Sequence, residues 1–301
     1  MKKLLFALLL TISSMSYAQT TVPIVWPFSI GSNQATFVRL IIIEANKQQN
    51  KYNFILENKP GAGGYLAAKY VQDYKGLAII SSSSSFFARP VFYPNESHRV
   101  EDFKPVYIEC IGQPYLILSS KYKTLDDLRK EERVTIGANF GSITEAMARE
   151  LQVVLPRTKV DIIPYASGTL GPTQEVLAGR LDLNVDLPAE AMQYIESGKL
   201  TVIGTSGTAD HKFMKSFNSQ GHKGFTGMTS SYAMYVRNST DPELIKELHS
   251  IFTKAAAASG QNLQDAYNRD YCPGVNLNLK ETNSVFNKWI KYWPEKLSNL
   301  K

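Results

Sequence analysis

No uninterrupted apolar run of about 18 residues, the length that a membrane-spanning helix needs, occurs in these 301 residues, and the folded chain is expected to be soluble. Cysteine is scarce, with only Cys110 and Cys272, and the four histidines (His98, His211, His222 and His249) supply no pair at metal-ligand spacing. Without an H-E-x-x-H either, no metal and no cofactor are expected. A G-x-S-x-G nucleophile elbow and a GK[ST] phosphate loop are also missing, so no local motif points to a hydrolase or a nucleotide site. Lys and Arg outnumber Asp and Glu by 33 to 27, but they are scattered and no basic run interleaves with aromatics, which argues against a nucleic-acid partner. No internal repeat is visible.

What is present is a core-forming composition, 44% apolar and 11% aromatic, in a length that suits two domains or one large one. Residues 1–18 stand apart: Lys2 and Lys3, the apolar run Leu4 to Ile12, then Ser16-Tyr17-Ala18 form a secretory signal peptide. No cysteine lies at the cleavage point, so a free periplasmic or secreted product is expected. In an oxidising compartment Cys110 and Cys272 either pair or remain two buried thiols, and their spacing leaves both open.

Short apolar runs alternate with amphipathic segments, the pattern of an α/β fold with mostly parallel sheets. Strands are expected at Val22 to Trp26, Tyr52 to Leu56, Leu77 to Ser82, Val134 to Ala138, Val160 to Pro164, Leu181 to Val185 and Ala233 to Arg237, with an extended stretch from Val106 to Ser119. Helices are expected over Asn33 to Lys47, Gly64 to Val71, Leu125 to Lys130 and Ser142 to Leu155. Others open at Pro172, at Pro188 and after Asp241-Pro242, and a last one runs from Val285 to Trp293, where Pro294 should stop it. Gly179 and Gly198 suit left-handed helix ends.

Loops between strand ends and helix starts are the candidate binding elements, because ligands of open α/β sheets bind at the carboxyl edge. The first holds Phe28, Ser29, Ile30, Gly31, Ser32 and Asn33, where backbone amides at a helix start can accept a carboxylate while Ser32 or Asn33 caps the helix. A second contains Gly141 and Ser142, where Ser142 and Glu145 read as a capping box. A third contains Tyr165, Ser167, Gly168 and Thr169, rich in hydroxyls and flexible backbone. Asp186 ends a strand as either a helix cap or an acceptor for a ligand hydroxyl or amine. Gly61-x-Gly63-x-x-Leu66 lacks the third glycine of a dinucleotide fingerprint and reads as a structural turn.

Taken in order, Trp26-Pro27-Phe28, Glu57-Asn58-Lys59-Pro60-Gly61-Ala62-Gly63-Gly64, Asp102-Phe103-Lys104-Pro105-Val106, Pro164-Tyr165 followed by Gly168, Leu177-Ala178-Gly179-Arg180-Leu181-Asp182, Ser197-Gly198-Lys199-Leu200 and Thr240-Asp241-Pro242 resemble the extracytoplasmic solute-binding proteins of tripartite tricarboxylate transporters, the Bug family. The resemblance spans nearly the whole chain after residue 18. It implies a two-lobed type II periplasmic binding fold, with lobe 1 at 19–107 and 229–301, lobe 2 at 108–228, and a hinge near 106–112 and 224–232. A small-molecule ligand, a carboxylate above all, is then held between the lobes of a monomer and passed to membrane permease subunits. The family's binding loops map onto Phe28 to Asn33, the Ser82 to Ser85 region with Ser83 and Ser84, the Gly141-Ser142 turn, Tyr165 to Thr169, and Asp186. Where the family places charge in these loops, this chain has hydroxyls and amides, which opens the ligand to monocarboxylates, aromatic acids and neutral polar compounds. Two other readings remain: a ligand sensor for a receptor kinase, and a periplasmic hydrolase using a serine of the Ser81 to Ser85 run.

Overall fold

The computed structural model describes residues 19–300 apart from 167 and 213, so the expected signal peptide and Ser167 lie outside the described residues. Among the described residues the apolar runs form ten strands in two sheets. β1 (Thr20–Trp26), β2 (Tyr52–Asn58), β3 (Ile79–Ser82), β4 (Phe103–Gln113) and β10 (Ser230–Arg237) make the first, in the order β2-β1-β3-β10-β4. β5 (Leu116–Ser119), β6 (Arg133–Asn139), β7 (Lys159–Tyr165), β8 (Leu183–Asp186) and β9 (Thr201–Thr205) make the second, in the order β7-β6-β8-β5-β9.

Each sheet is mixed rather than mostly parallel. β1 is parallel to β2 and β3, and β6 to β7 and β8, whereas β10 and β5 pair antiparallel with both of their neighbours. The cause is the double crossing of the chain, since β5 arrives in the second sheet straight from β4 of the first, and β10 returns from the second. β4 keeps its pairing with β10 as far as Gln113, beyond the boundary expected at 107, because no ladder-breaking residue intervenes before Pro114.

Nine α-helices flank the sheets: α1 (Asn33–Gln48), α2 (Tyr65–Asp73), α3 (Ser85–Phe92), α4 (Leu125–Leu128), α5 (Ile143–Val154), α6 (Leu170–Leu177), α7 (Pro188–Glu196), α8 (Pro242–Arg269) and α9 (Leu279–Lys296), counted among the described residues. Ser32 caps α1, its Oγ accepting from the Ala35 amide, and Phe37, Val38, Ile41 and Ala45 bury one face at zero exposure. Burial of such side chains is worth roughly 1.5–3 kcal/mol each, which fixes the helix on its sheet.

Several boundaries differ from the sequence reading. α3 occupies the serine run and contains Pro90, which cannot donate to the Phe86 carbonyl one turn earlier. His98 repairs the defect, with Nε2 2.9 Å from that oxygen. Burial holds its imidazole at a pKa of about 4, so the ring is neutral. α6 opens at Leu170, two residues before Pro172, because the first turn has amides without intrahelical partners and loses nothing to a proline there. Pro294 does not stop α9: it stands in the last turn, where one bond is lost, while buried Trp293 and Leu297 hold the helix in place. α9 also begins earlier than expected, at an Asn278–Glu281 capping box, and α8 continues through a break at Gly260.

The cysteine question is settled by a disulfide between Cys110 on β4 and Cys272 after α8. Backbone bonds from Ile111 to Pro273 and from Val275 to Glu109 flank it, so the C-terminal segment is stitched to the strand that leads into the crossing.

Candidate functional site

The loops after β1, β3, β6, β7 and β8 meet in a cavity of about 110 Å³ between the two sheets. The first loop reaches it through Phe28, Ser29, Gly31 and Ser32; Ser83, Ser142, Gly168 and Thr169 also line the wall. The other sequence candidates take different places. Ile30 is 39% exposed outside the cavity, Asn33 begins α1, and the buried Ser84 Oγ accepts from the Ser231 amide. Gly141 lies under Arg89, and Tyr165 packs against the apolar cluster around Val176. Asp186 is buried behind the wall, where its carboxylate accepts from the Thr173 hydroxyl and the Leu187 amide. The cap of α7 is Leu187, not Asp186.

Ser85, at the end of the Ser82 to Ser85 region, also lines the cavity, whereas sequence reading missed Gln34, Tyr115, Asn139, Thr144, Leu170, Leu187, Glu190 and Tyr232. Gln34, Asn139 and Thr144 sit within a residue or two of the loops singled out, a signal that was available. Tyr115, Tyr232 and Glu190 come from the crossing strand region, β10 and the first turn of α7, where nothing local marks them.

The expected Ser142–Glu145 capping box is displaced by a residue at each end. Ser142 Oγ accepts from the Thr144 amide, and Glu145 Oε2 accepts from the Gly141 amide at 2.6 Å. The other Glu145 oxygen takes the Tyr93 hydroxyl and both Arg149 donors. Its charge is thereby paired away from the cavity, while the Ile143 and Thr144 amides at the start of α5 donate to Ser85 Oγ and Ser142 Oγ. Ser142 in turn donates to the Asn139 carbonyl, and the Asn139 amide donates to Thr144 Oγ1, which rigidifies the turn.

Starts of α1 and α5 both border the cavity, through Ser32 and Gln34 and through Ser142 and Thr144. Each carries the positive end of a helix dipole, which favours negative charge, although the Ala35, Ile143 and Thr144 amides already donate to the hydroxyls of Ser32, Ser85 and Ser142. On the opposite electrostatic side stand carboxyl groups. Glu190 lines the cavity and accepts from Thr169 Oγ1 at 2.9 Å. Asp270 behind it accepts from Gln34 Nε2 at 3.0 Å and from the Ala189 amide at 3.2 Å, tying α1 to α7. Burial raises all three carboxyls: Asp270 to about 7, Asp186 above its ordinary value, and Glu190 well above it, Asp186 and Asp270 adding to the effect on Glu190. Among the described residues no Lys, Arg or His lines the cavity.

The loops of the two sheets also touch each other directly. A Cβ on Gly63 would stand 2.6 Å from the Gly141 carbonyl oxygen, and one on Gly168 would stand 3.1 Å from Ser29 Cβ.

Comparison with known proteins decides the family. The family described as tripartite tricarboxylate transporter family receptor matches residues 38–273, well over half of the chain. The chain belongs to that receptor family. One curated relative, the UPF0065 protein in the gbd 5' region of Cupriavidus necator, is 26% identical over 212 residues, 67% of this chain. The match spans 64% of that relative's length. Among solved structures the receptor is similar to the periplasmic binding protein BugD (TM-score 0.81, 18% identity, 94% of this chain and 98% of that one). It is also similar to MatC from Rhodopseudomonas palustris with bound malate (0.77, 20%, 93% and 98%) and to an R. palustris protein with adipate (0.77, 18%, 94% and 97%). The receptor thus has their two-lobed fold, and the cavity lies between its lobes.

Proposed function

We propose that the chain is a periplasmic solute-binding receptor, exported by a cleavable signal peptide, which captures a small organic acid or related polar metabolite between its lobes and delivers it to the membrane permease subunits of a tripartite transporter. The observation that carries this reading is the convergence of the α1 and α5 starts on one interlobe cavity, since their positive dipole ends favour an anion without a cationic side chain. Membership of the receptor family and the malate and adipate bound by structural relatives support the same ligand class. Against the hydrolase alternative, none of the four histidines lines the cavity: His98 is committed to Phe86, and His249 to the Val106 carbonyl. A serine there has no imidazole base in reach.

Calorimetry and thermal melting with carboxylic acids and their primary amides test the reading. A ligand that binds only the folded chain at a hundred times its Kd adds about 2.7 kcal/mol. Acids should bind and amides should bind at least about tenfold more weakly. Gly31→Val, whose added Cβ meets nothing nearer than 4.0 Å in the fold, should lose most of the affinity at little cost to the unliganded melting temperature. Equal affinity for acid and amide would overturn the anion site.

A further inference from the structure

Three carboxyls meet where the lobes do. Asp186, at the end of β8, and Glu190, in the first turn of α7, belong to the lobe of the second sheet. Asp270 follows α8, which packs on α1 and β4 of the first. Asp186 and Asp270 are buried, and Glu190 opens on the cavity. α7 has no side-chain cap of its own, and the amide of Ala189, beside Glu190, donates instead to Asp270 across the lobes at 3.2 Å. That tie is anchored, since the Tyr271 ring packs on His211 after β9 and Cys272 is bonded to Cys110 on β4. Asp186 and Glu190 hydrogen-bond to each other, which two carboxyl groups do only with a proton between them. The groups that bear on the three from the surrounding elements are the phenols of Tyr115 and of Tyr232 on β10, the hydroxyls of Thr169 and Thr173 at α6, and the amides of Gln34 on α1 and Gln113 on β4. Those that titrate are all acids.

We propose that Asp186, Glu190 and Asp270 form one proton-sharing cluster that lobe closure assembles, so that the receptor takes up protons from the solvent as it closes on its ligand. This rests on the reading of the cavity as an acid-capturing site and adds the regulation of that site by pH. When the lobes part, Asp270 leaves the start of α7, water reaches the carboxyls, and each ionises nearer its ordinary range. When they close, three like charges shut off from water do not persist together, and solvent protons bond to carboxylate oxygens. In the closed arrangement burial holds Asp270 at about 7, against hydrogen bonds from Ala189, Gln34 and Gln113, and raises Glu190 further, with Asp186 and Asp270 adding to the effect. Between 3.8 and about 7 the closed form therefore keeps a proton on Asp270 that the open form has lost, and closure loses this advantage as pH rises through that window. Glu190 extends the window upward. A ligand carboxylate in the same cavity pushes the same way. Neutralised acids are what let a lining without Lys, Arg or His among the described residues hold an anion beside Glu190.

Calorimetry with malate and with adipate, the acids bound by structural relatives, at pH 6.5 and pH 8.5 in buffers of different ionisation enthalpy counts the protons. An acid that binds should bring about one proton with it, and its affinity should fall about tenfold or more between the two pH values. Asp270→Asn, neutral and still able to accept from the Ala189 amide, should bind more tightly than the unaltered chain at pH 8.5 and show a shallower pH dependence, which a merely structural role would not produce. The proton count of the unaltered chain stands as evidence even if that variant does not fold. Closure is read separately by spin labels on Ile43→Cys and Val153→Cys, exposed on α1 and α5, because the two native cysteines are bonded to each other. Without ligand, the shorter separation should gain population from pH 8.5 to pH 6.5. Binding with no proton uptake and no change in affinity would overturn the proton coupling and leave acid capture intact. If neither acid binds at millimolar concentration, the acid-capture reading fails on these probes, and an unchanged label separation at the two pH values would overturn the coupling as well.

Discussion

Gly63 offers a direct test of whether the contact between the two sheets' loops belongs to the ligand-holding state. It stands at φ +59° in the turn between β2 and α2, and an added Cβ would lie 2.6 Å from the Gly141 carbonyl oxygen and 2.8 Å from that of Phe140, both backbone atoms of the other lobe. A carbon–oxygen separation of about 3.3 Å is the normal lower range, so the rims must part by roughly 0.7 Å in Gly63→Ala. Two costs follow. The left-handed backbone charges alanine about 1–2 kcal/mol, in the open and closed forms alike. The clash exists only when the rims meet, and if it costs the closed form about 2–3 kcal/mol, affinity falls roughly 30–150-fold. Gly221→Ala is the control, because Gly221 has φ +87° but nothing within 4 Å of its added Cβ. Calorimetry with the tightest acid found in the screen should show the loss for Gly63→Ala only, with similar small drops in unliganded melting temperature for both. Affinity of Gly63→Ala within threefold of the unaltered protein would refute closure by these rims.

Two further outcomes concern stability. Cys110 and Cys272 are 162 residues apart and enclose the whole second sheet, so loop-closure entropy gives the bridge about 5 kcal/mol; urea unfolding of the Cys110→Ala, Cys272→Ala double variant should reveal a loss of about 2–5 kcal/mol, and an unchanged midpoint would refute the pairing. Burial raises the Glu109 carboxyl to about 7 from 4.5, with Ser81 its one hydrogen-bond donor. Between those values the folded chain holds a proton that the unfolded chain has lost, so stability falls as pH rises through the window, by about 3 kcal/mol in all. Urea unfolding at pH 5 and pH 8 should register a smaller decline for Glu109→Gln than for the unaltered protein, and equal declines would dismiss the assignment.

Strand and helix alternation was legible because runs such as Val22 to Trp26 and faces such as Phe37, Val38 and Ile41 carry their period locally. α3 was not. Its serines and Pro90 argue against helix, and it forms because Phe86 and Phe87 bury against Tyr235 and Phe286 while His98, twelve residues from Phe86, supplies the missing donor. The same division runs through the site. Glycine and serine between a strand and a helix announced the Phe28, Ser142 and Gly168 loops, but Glu190 looks like any acid in a first helical turn, and its raised pKa draws in part on Asp270, which lies eighty residues away and binds the Ala189 amide. Long-range packing sets the charge of the cavity, and local pattern sets its backbone.

That backbone is nearly two-fold even though the sequence has no visible repeat. Both sheets run in the same order, a parallel trio followed by an incoming antiparallel strand and an edge. β1 corresponds to β6 and β2 to β7, and the rim contacts obey the correspondence: the loop after β2, at Gly63, meets the loop after β6, at Gly141, while the loop after β7, at Gly168, meets the loop after β1, at Ser29. Each contact has a glycine where a side chain would hold the lobes apart. The α1 and α5 starts are partners under the same relation, which gives the cavity two similar positive dipole ends. Glu190 has no such counterpart: it follows β8, whose equivalent β3 leads to the uncharged Ser83, Ser84 and Ser85. Discrimination between ligands of similar size must come from this break in the symmetry, because it is the one place where the two lobes offer different charge to the same cavity.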